Sequence, residues 1–185
     1  MEERTTRELI ETLGDDVGRC HEDLVKSIDD GNVDIEGCVE ADYEFHARQL
    51  IRSILAYIEG VTFSVKVSAA AKCLDRGIEI SEHERYMAIE IDCDLNDKGK
   101  VVERPARIRL PGNIRFAFSL LERSERLDPE FSSSKEWWSA LRSTIKVRNR
   151  LTHPQLPGDL DISGDEIVGA LKAKQGFDDV LAKHI

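Results

Sequence analysis

The stretch IKVRNRLTHP, residues 145–154, holds the side chains of this sequence that are best suited to chemistry on a phosphate group. Arg148 has a permanent charge on a planar fork of donors that matches phosphate oxygens. Histidine titrates near pH 6.5, so His153 can accept or donate a proton near neutrality. Asn149 can orient the histidine or the phosphate, or it can make only a helix-end hydrogen bond. These three residues are the candidate catalytic set.

The segment that positions them, KEWWSALRSTIKVRNRL, has the period of an amphipathic helix. Its apolar residues recur at steps of three and four: Trp138, Leu141 and Ile145. Arg148 is the next position on that stripe, where it can extend its charge to solvent, pair with a buried acid, or line a cavity that holds an anion. Pro154 disfavours helical geometry at the residue before it, which predicts a helix end near Thr152. His153 is then free to turn back, or it complements the helix dipole.

Charge is distributed unevenly along the chain. The net charge is -10, and residues 1–46 have fifteen Asp and Glu against four Lys and Arg. Residues 135–153 have five Lys and Arg against one Glu. A cationic patch on an anionic body can hold one phosphate group, but this distribution argues against a broad duplex-binding surface.

Composition indicates a soluble globular chain. The 185 residues suit one domain, 1–185, with 41% apolar and 34% charged residues. We find neither a run of about 18 apolar residues nor a signal peptide, and we expect a cytoplasmic protein. The four cysteines are far apart and favour reduced, mostly packed thiols rather than a zinc site or a disulfide framework: Cys20, Cys38, Cys73 and Cys93.

Apolar spacing predicts a mainly α fold, a bundle of about five helices with an inserted β-hairpin at about 86–110. The helices are predicted at 4–29, from near Glu40 to about Asp75, in PGNIRFAFSLLERSER, at 135–152, and from Ser163, which has capping-box spacing with Glu166. The second helix is predicted to continue through VTFSVKV despite its β-branched residues, because SAAAKCLD follows without a turn signal.

The hairpin prediction rests on alternation. In MAIEIDCDL apolar residues alternate with acids, and after NDKGK the segment ARIRL alternates apolar residues with Arg107 and Arg109. Acids on one strand would then face arginines on the other. Pro105 is tolerated only at an edge or a bulge.

RNRLTH resembles the motif R-x(4 to 6)-H, with a polar residue directly after the arginine, of the HEPN superfamily. That superfamily comprises helical, mostly prokaryotic proteins, many of them metal-independent ribonucleases of toxin and defence systems. The position of the motif late in an amphipathic helix and before Pro154 is similar too. A second match, Arg76 to His83, lacks this context because Gly77 follows the arginine. The layout is similar over residues 40–155; the acidic first helix and the hairpin lie outside the minimal family core.

The resemblance implies a homodimer in which two Arg148/His153 pairs meet at one site. RNA cleavage there would leave a 2′,3′-cyclic phosphate and a 5′-hydroxyl, with no metal or cofactor. Lys146 and Arg150 would bind the RNA substrate, or they form only a solvated face. In toxin systems the further expected partner is an antitoxin such as a nucleotidyltransferase.

Two other hypotheses stay open. The chain could be a non-catalytic HEPN-like module that binds a nucleotide, RNA or an antitoxin, or an unrelated helical adaptor in which the motif is coincidental. Trp137 and Trp138 could stack on RNA bases, but their spacing with Leu141 and Ile145 favours core or dimer contacts.

Overall fold

A computed structural model of the chain describes residues 2–29, 39–127 and 136–184. The described residues form six α-helices, a short 3-10 helix and one antiparallel β-hairpin, which confirms a mainly α fold with an inserted hairpin. In chain order the elements are α1 (Glu2–Asp29), α2 (Val39–Asp75), α3 (Glu82–Ala88), β1 (Ile91–Leu95), β2 (Val101–Pro105), α4 (Leu110–Glu125), α5 (Glu136–Thr152), the 3-10 helix (Pro157–Leu160) and α6 (Gly164–Leu181).

The helices cluster into two compact units. One contains described residues 2–29, 39–60 and 136–183, and the other contains 61–127 and 184. Helix α2 runs through both as a continuous helix, so the interpretation of VTFSVKV as helix is confirmed. Tertiary burial outweighs the strand propensity of this segment, because Val61 and Lys66 are completely enclosed.

In the first unit, α6 packs along α5. The approach is close at Gly176, where a Cβ atom would collide with the side chain of Trp137. Both tryptophans are buried and meet edge to face, with ring centroids 5.3 Å apart, which confirms them as core residues. Helix α6 begins as predicted, with Ser163 and Glu166 forming a reciprocal capping box.

The hairpin corrects the sequence analysis. The returning strand is Val101–Pro105, not ARIRL, because Asn96 closes a tight loop by accepting from the amides of Lys98 and Lys100 at 3.0 Å each. Leu95 therefore pairs with Val101, and the ladder ends at Ile91 and Pro105. Beyond that point Glu90 leaves the strand with φ 57°, and proline has no amide hydrogen to donate.

One helix of this region was missed, and two further predictions were wrong. Helix α3 was not predicted, although Ser81 and Glu84 form a capping box at its start. The acid–arginine pair across the strands exists, but it joins Asp94 to Arg104 at 2.8 Å rather than using Arg107 or Arg109. Cys93 is exposed rather than packed, whereas Cys73 is buried, and Cys38 lies outside the described residues.

Helix α2 is also the one described helix that is long and apolar enough to cross a membrane, over Asp42–Asp75. The criterion of consecutive apolar residues did not single it out. Most of that window is buried inside the protein, as in the core helix of a soluble protein, so its apolar composition is explained by packing.

Candidate functional site

Helix α5 ends at Thr152, as Pro154 predicted, and its last turn presents the candidate residues. His153 extends the helical hydrogen bonding by one residue, since its amide donates to the carbonyl of Asn149 at 3.1 Å. The side chains of His153, Asn149 and Lys146 are exposed. Over the five residues from Arg148 to His153 the helix rises by about 7.5 Å, which is within reach of an extended guanidinium.

Arg148 lies at the edge of the buried stripe of α5 rather than in its centre. The buried positions of the helix are Trp137, Trp138, Leu141, Thr144, Val147 and Leu151. The side chain of Arg148 is 30% exposed, and its Nη2 donates to Oε1 of Glu59 at 3.1 Å. Its Nε is buried and has no acceptor among the described residues. An anion cannot reach the buried Nε, so the donors available to an anion are those at the exposed end of the guanidinium that Glu59 leaves unfilled.

Glu59 was missed in the sequence analysis. It lies on α2, and its side chain is 43% exposed, so the pair with Arg148 is open to solvent and ions. Of the three roles considered for Arg148, the structure shows the pair with an acid. That acid is at the surface rather than buried. Solvent-exposed pairs of this kind contribute about 0–1 kcal/mol, so an incoming phosphate can compete with Glu59.

Arg52 of α2 was missed as well. Its Nη2 donates to the carbonyl of Leu151 at 3.2 Å and so satisfies one of the last carbonyls of α5. Arg52 and Glu59 are seven residues apart, which places them on one stripe of α2 facing the end of α5. The sequence ARQLIRSILAYIEG shows that Arg52 and Glu59 share one side of a helix. It does not show which helix that side faces.

Arg150 has a structural role that the sequence did not disclose. Its Nη1 donates to the carbonyl of Asp161 at 2.9 Å, and its Nη2 pairs with Glu166 at 2.8 Å. Backbone amides of Gln155 and Leu156 donate to the carboxylate of Asp159, and these hydrogen bonds, with the charge of Arg150, lower the pKa of that carboxyl. The chain after His153 is thereby held in a defined turn.

A second polar cluster lies in the other unit, and no sequence pattern indicated it. Lys66 is 0% exposed, and its Nζ contacts Oε1 of Glu90 at 2.7 Å and Oδ1 of Asn113 at 2.8 Å. Asn113 also donates to Glu90 at 2.9 Å. The cluster joins α2, the base of the hairpin and α4. Because Lys66 is enclosed, it cannot meet a substrate, and its role is structural.

The pKa directions of this cluster follow from burial and pairing. Burial lowers the pKa of Lys66, and the hydrogen bond and charge of Glu90 offset only part of that effect. Burial would raise the pKa of Glu90, but hydrogen bonds from Lys66 and Asn113 and the charge of Lys66 outweigh it and lower that pKa. The lowered pKa keeps the carboxyl group of Glu90 ionised near neutral pH, where it contacts Nζ of Lys66 at 2.7 Å.

In comparisons with known proteins, no family model, no curated protein and no solved structure matches the chain. The class that the fold defines is a mainly α protein with an inserted hairpin. Any assignment of activity therefore depends on the side chains at the end of α5.

Proposed function

We propose that the chain is a metal-independent endoribonuclease of HEPN type that acts as a cytoplasmic homodimer in a toxin or defence system. The observation that supports this most is the end of α5, where the side chain of Arg148 is 30% exposed and pairs with Glu59 through Nη2, while an exposed His153 follows five residues later. Arg48, Arg52 and Arg150, by contrast, donate to backbone carbonyls of the chain.

The proposed reaction transfers two protons and breaks one bond. His153 of one subunit takes the proton of the RNA 2′-hydroxyl, and the 2′-oxygen attacks phosphorus. His153 of the partner subunit protonates the 5′-oxygen as its bond to phosphorus breaks. Arg148 stabilises the charge that builds up on the phosphate. One subunit supplies a single histidine, which is why two-fold symmetry is part of the proposal.

Asn149 and Lys146 are exposed on the same last turns of α5, where they can orient the phosphate and attract the RNA strand. Arg150 is engaged with Asp161 and Glu166, so we assign it to holding the turn after His153 rather than to substrate. A single-phosphate site reads no bases, so we expect the substrate to be selected by shape and accessibility.

The second candidate function is a non-catalytic module that binds a nucleotide, RNA or an antitoxin. The ion pair between Arg148 and Glu59 favours it, because a carboxylate occupies part of the guanidinium that a phosphate would need. The net charge of -10 also weakens RNA binding in general.

The test is RNA cleavage in excess chelator. We expect wild-type protein to cut structured and unstructured RNA and to leave 2′,3′-cyclic phosphate ends, detected by end labelling before and after phosphatase treatment. His153→Ala protein, purified in parallel, controls for contaminating nuclease. Absence of cleavage by wild-type protein would favour the binding module, and equal cleavage by both preparations would remove the evidence for this site.

Removing the competing carboxylate gives a second prediction. In Glu59→Gln the guanidinium of Arg148 loses its charged partner, so we expect RNA to bind about 2–5-fold more tightly, the equivalent of an exposed ion pair. The measurement is the KM for RNA cleavage, or RNA affinity in filter binding. Glu44→Gln is the matched control, since Glu44 pairs with Arg48 on the same helix at 3.2 Å. Weaker cleavage by Glu59→Gln would show instead that Glu59 positions Arg148.

A further inference from the structure

The charge of Arg52 on α2 is not neutralised by any carboxylate of the described residues. Three other arginines lie at the end of α5 or contact the turn that follows it, and each has an acidic partner: Arg48 with Glu44 at 3.2 Å, Arg148 with Glu59 at 3.1 Å, and Arg150 with Glu166 at 2.8 Å. Arg52 is exposed, and its contact is with a backbone carbonyl rather than an acid. Its positive charge is therefore available to a ligand.

One hydrogen bond holds Arg52 beside the last turn of α5. Its Nη2 donates to the carbonyl of Leu151 at 3.2 Å. Leu151 follows Arg148 by three residues and precedes His153 by two, a rise of about 3 Å along the helix axis. A guanidinium has about five N–H donors in a fixed fork, so one bond to a carbonyl leaves most of them unused. The contact thus fixes a cation next to the candidate residues.

The hydrogen bond to Leu151 also has a structural explanation. A cation at the end of a helix satisfies an unpaired carbonyl and complements the helix dipole. That role needs only the one hydrogen bond. The two roles differ in what they predict: capping contributes to the stability of the fold, whereas binding a phosphate releases ions from the nucleic acid and makes its affinity depend on salt.

Arg52 and Arg148 lie along the same junction between α2 and α5. Glu59 of α2 contacts Arg148, and Arg52, two turns earlier on the same stripe of α2, contacts Leu151 in the last turn of α5. A strand whose phosphate lies at Arg148 can therefore follow this junction to Arg52. The guanidinium fork suits a second phosphate there, because it matches the spacing of phosphate oxygens.

We propose that Arg52 binds a phosphate of single-stranded RNA next to the phosphate that Arg148 holds. The end of α5 is then a site for two phosphates, which fixes the register of the strand but still reads no bases. The identity of the ligand rests on the proposed function. The contact itself can be measured by binding, without cleavage.

The experiment measures RNA binding by the full chain with His153→Ala, so that the RNA stays intact. The probe is a fluorescein-labelled oligouridylate, followed by fluorescence anisotropy between about 50 and 200 mM salt. Adding Arg52→Ala is expected to weaken binding about tenfold at the lowest salt. The slope of log affinity against log salt should become shallower by about 0.7, the contribution of one phosphate contact on a single strand.

Two further variants separate binding from capping and from net charge. Arg52→Gln keeps an N–H donor for Leu151 but no charge, so we expect the same shallower slope as in Arg52→Ala. Arg48→Ala is the matched control, because Arg48 lies one turn away on α2, donates to the carbonyl of Leu160 at 3.1 Å, and has its charge neutralised by Glu44. We expect Arg48→Ala to keep the slope and to bind within about twofold. Urea unfolding checks that each variant is folded.

Three results would overturn the proposal. An unchanged slope in Arg52→Gln would leave Arg52 as a helix cap only. An equal change in Arg48→Ala would mean that RNA senses only net charge, and no binding by the His153→Ala chain would remove RNA as the ligand. If the slope changes as expected but the wild-type chain cuts no RNA, the phosphate contact stands and the nuclease proposal fails. If the wild-type chain cuts RNA and Arg52 does not affect the slope, the reverse holds.

Discussion

Replacing His153 by alanine is expected to lower the rate of RNA cleavage by about 10²–10⁴-fold, the usual contribution of a general acid or base. The side chain is exposed at the end of α5, so its loss should leave the fold intact. Single-turnover cleavage and thermal unfolding should be measured on the same preparation. His21→Ala, at another exposed position, is the matched control. Cleavage unchanged by His153→Ala would place the chemistry elsewhere.

Arg148→Ala should be impaired by about 10²–10³-fold, as expected for loss of one preorganised donor to the developing phosphate charge. Arg142→Ala, on the exposed side of the same helix, controls for a general loss of positive charge.

Because the proposed site is shared between subunits, mixing equal amounts of Arg148→Ala and wild-type chains should reduce activity to about a quarter, the fraction of dimers with two intact subunits. A decrease to only half would mean that each subunit carries an independent site.

Much of the helical framework could be predicted because its signals are local. The end of α5 at Thr152 follows from the steric effect of Pro154, and the start of α6 follows from a serine and a glutamate three residues apart. Helix α3 has the same serine–glutamate signal at Ser81 and Glu84. Its seven residues are too few to show a helical period, and the strand-like alternation that begins beside it concealed the cap.

The position of β2 could not be obtained from alternation alone. Both VVERP and ARIRL are compatible with a strand, and the choice depends on the loop that Asn96 closes and on where the ladder stops. Glu90 adopts φ 57°, and its carbonyl accepts from the amide of Ala106 at 2.8 Å, which ends the hairpin there. These hydrogen bonds join separate segments of the chain, so the alternation of residues within one segment does not reveal them.

The partners of the site residues were the hardest to predict. The pairing of Arg148 with Glu59 spans 89 residues and depends on how α2 and α5 face each other. The partners of Lys66 were even harder to predict, because a lysine in an apolar helix is expected to extend to solvent. Only the fold shows that Glu90 and Asn113 come within hydrogen-bond distance of it.

Removing Glu90 is expected to cost the fold about 3 kcal/mol, since Glu90→Ala leaves the ammonium of Lys66 enclosed without its counter-charge. The alanine keeps a Cβ at φ 57°, so the backbone strain of the position is unchanged. Lys66→Met should cost less, because the carboxylate left behind is 36% exposed and can be hydrated. The double variant should recover most of the loss of Glu90→Ala, measured by urea unfolding at pH 7. Additive losses would mean that the pair is not coupled.

Glu90 and Lys66 should each make the fold more stable as pH rises, Glu90 in the acidic range and Lys66 in the basic range. The pKa of Glu90 is lowered in the fold, so its contribution is fully present above the ordinary value of 4.5 and is lost as pH falls through the folded value. The pKa of Lys66 is lowered from 10.5 in the fold. Between the folded value and 10.5 the unfolded chain therefore binds more protons than the folded chain, and stability rises as pH increases towards 10.5. In Glu90→Ala the rise should be larger than in wild type, because the lysine has lost the partner that favoured its charge. Lys66→Met should abolish the rise, which separates this effect from the titration of other groups.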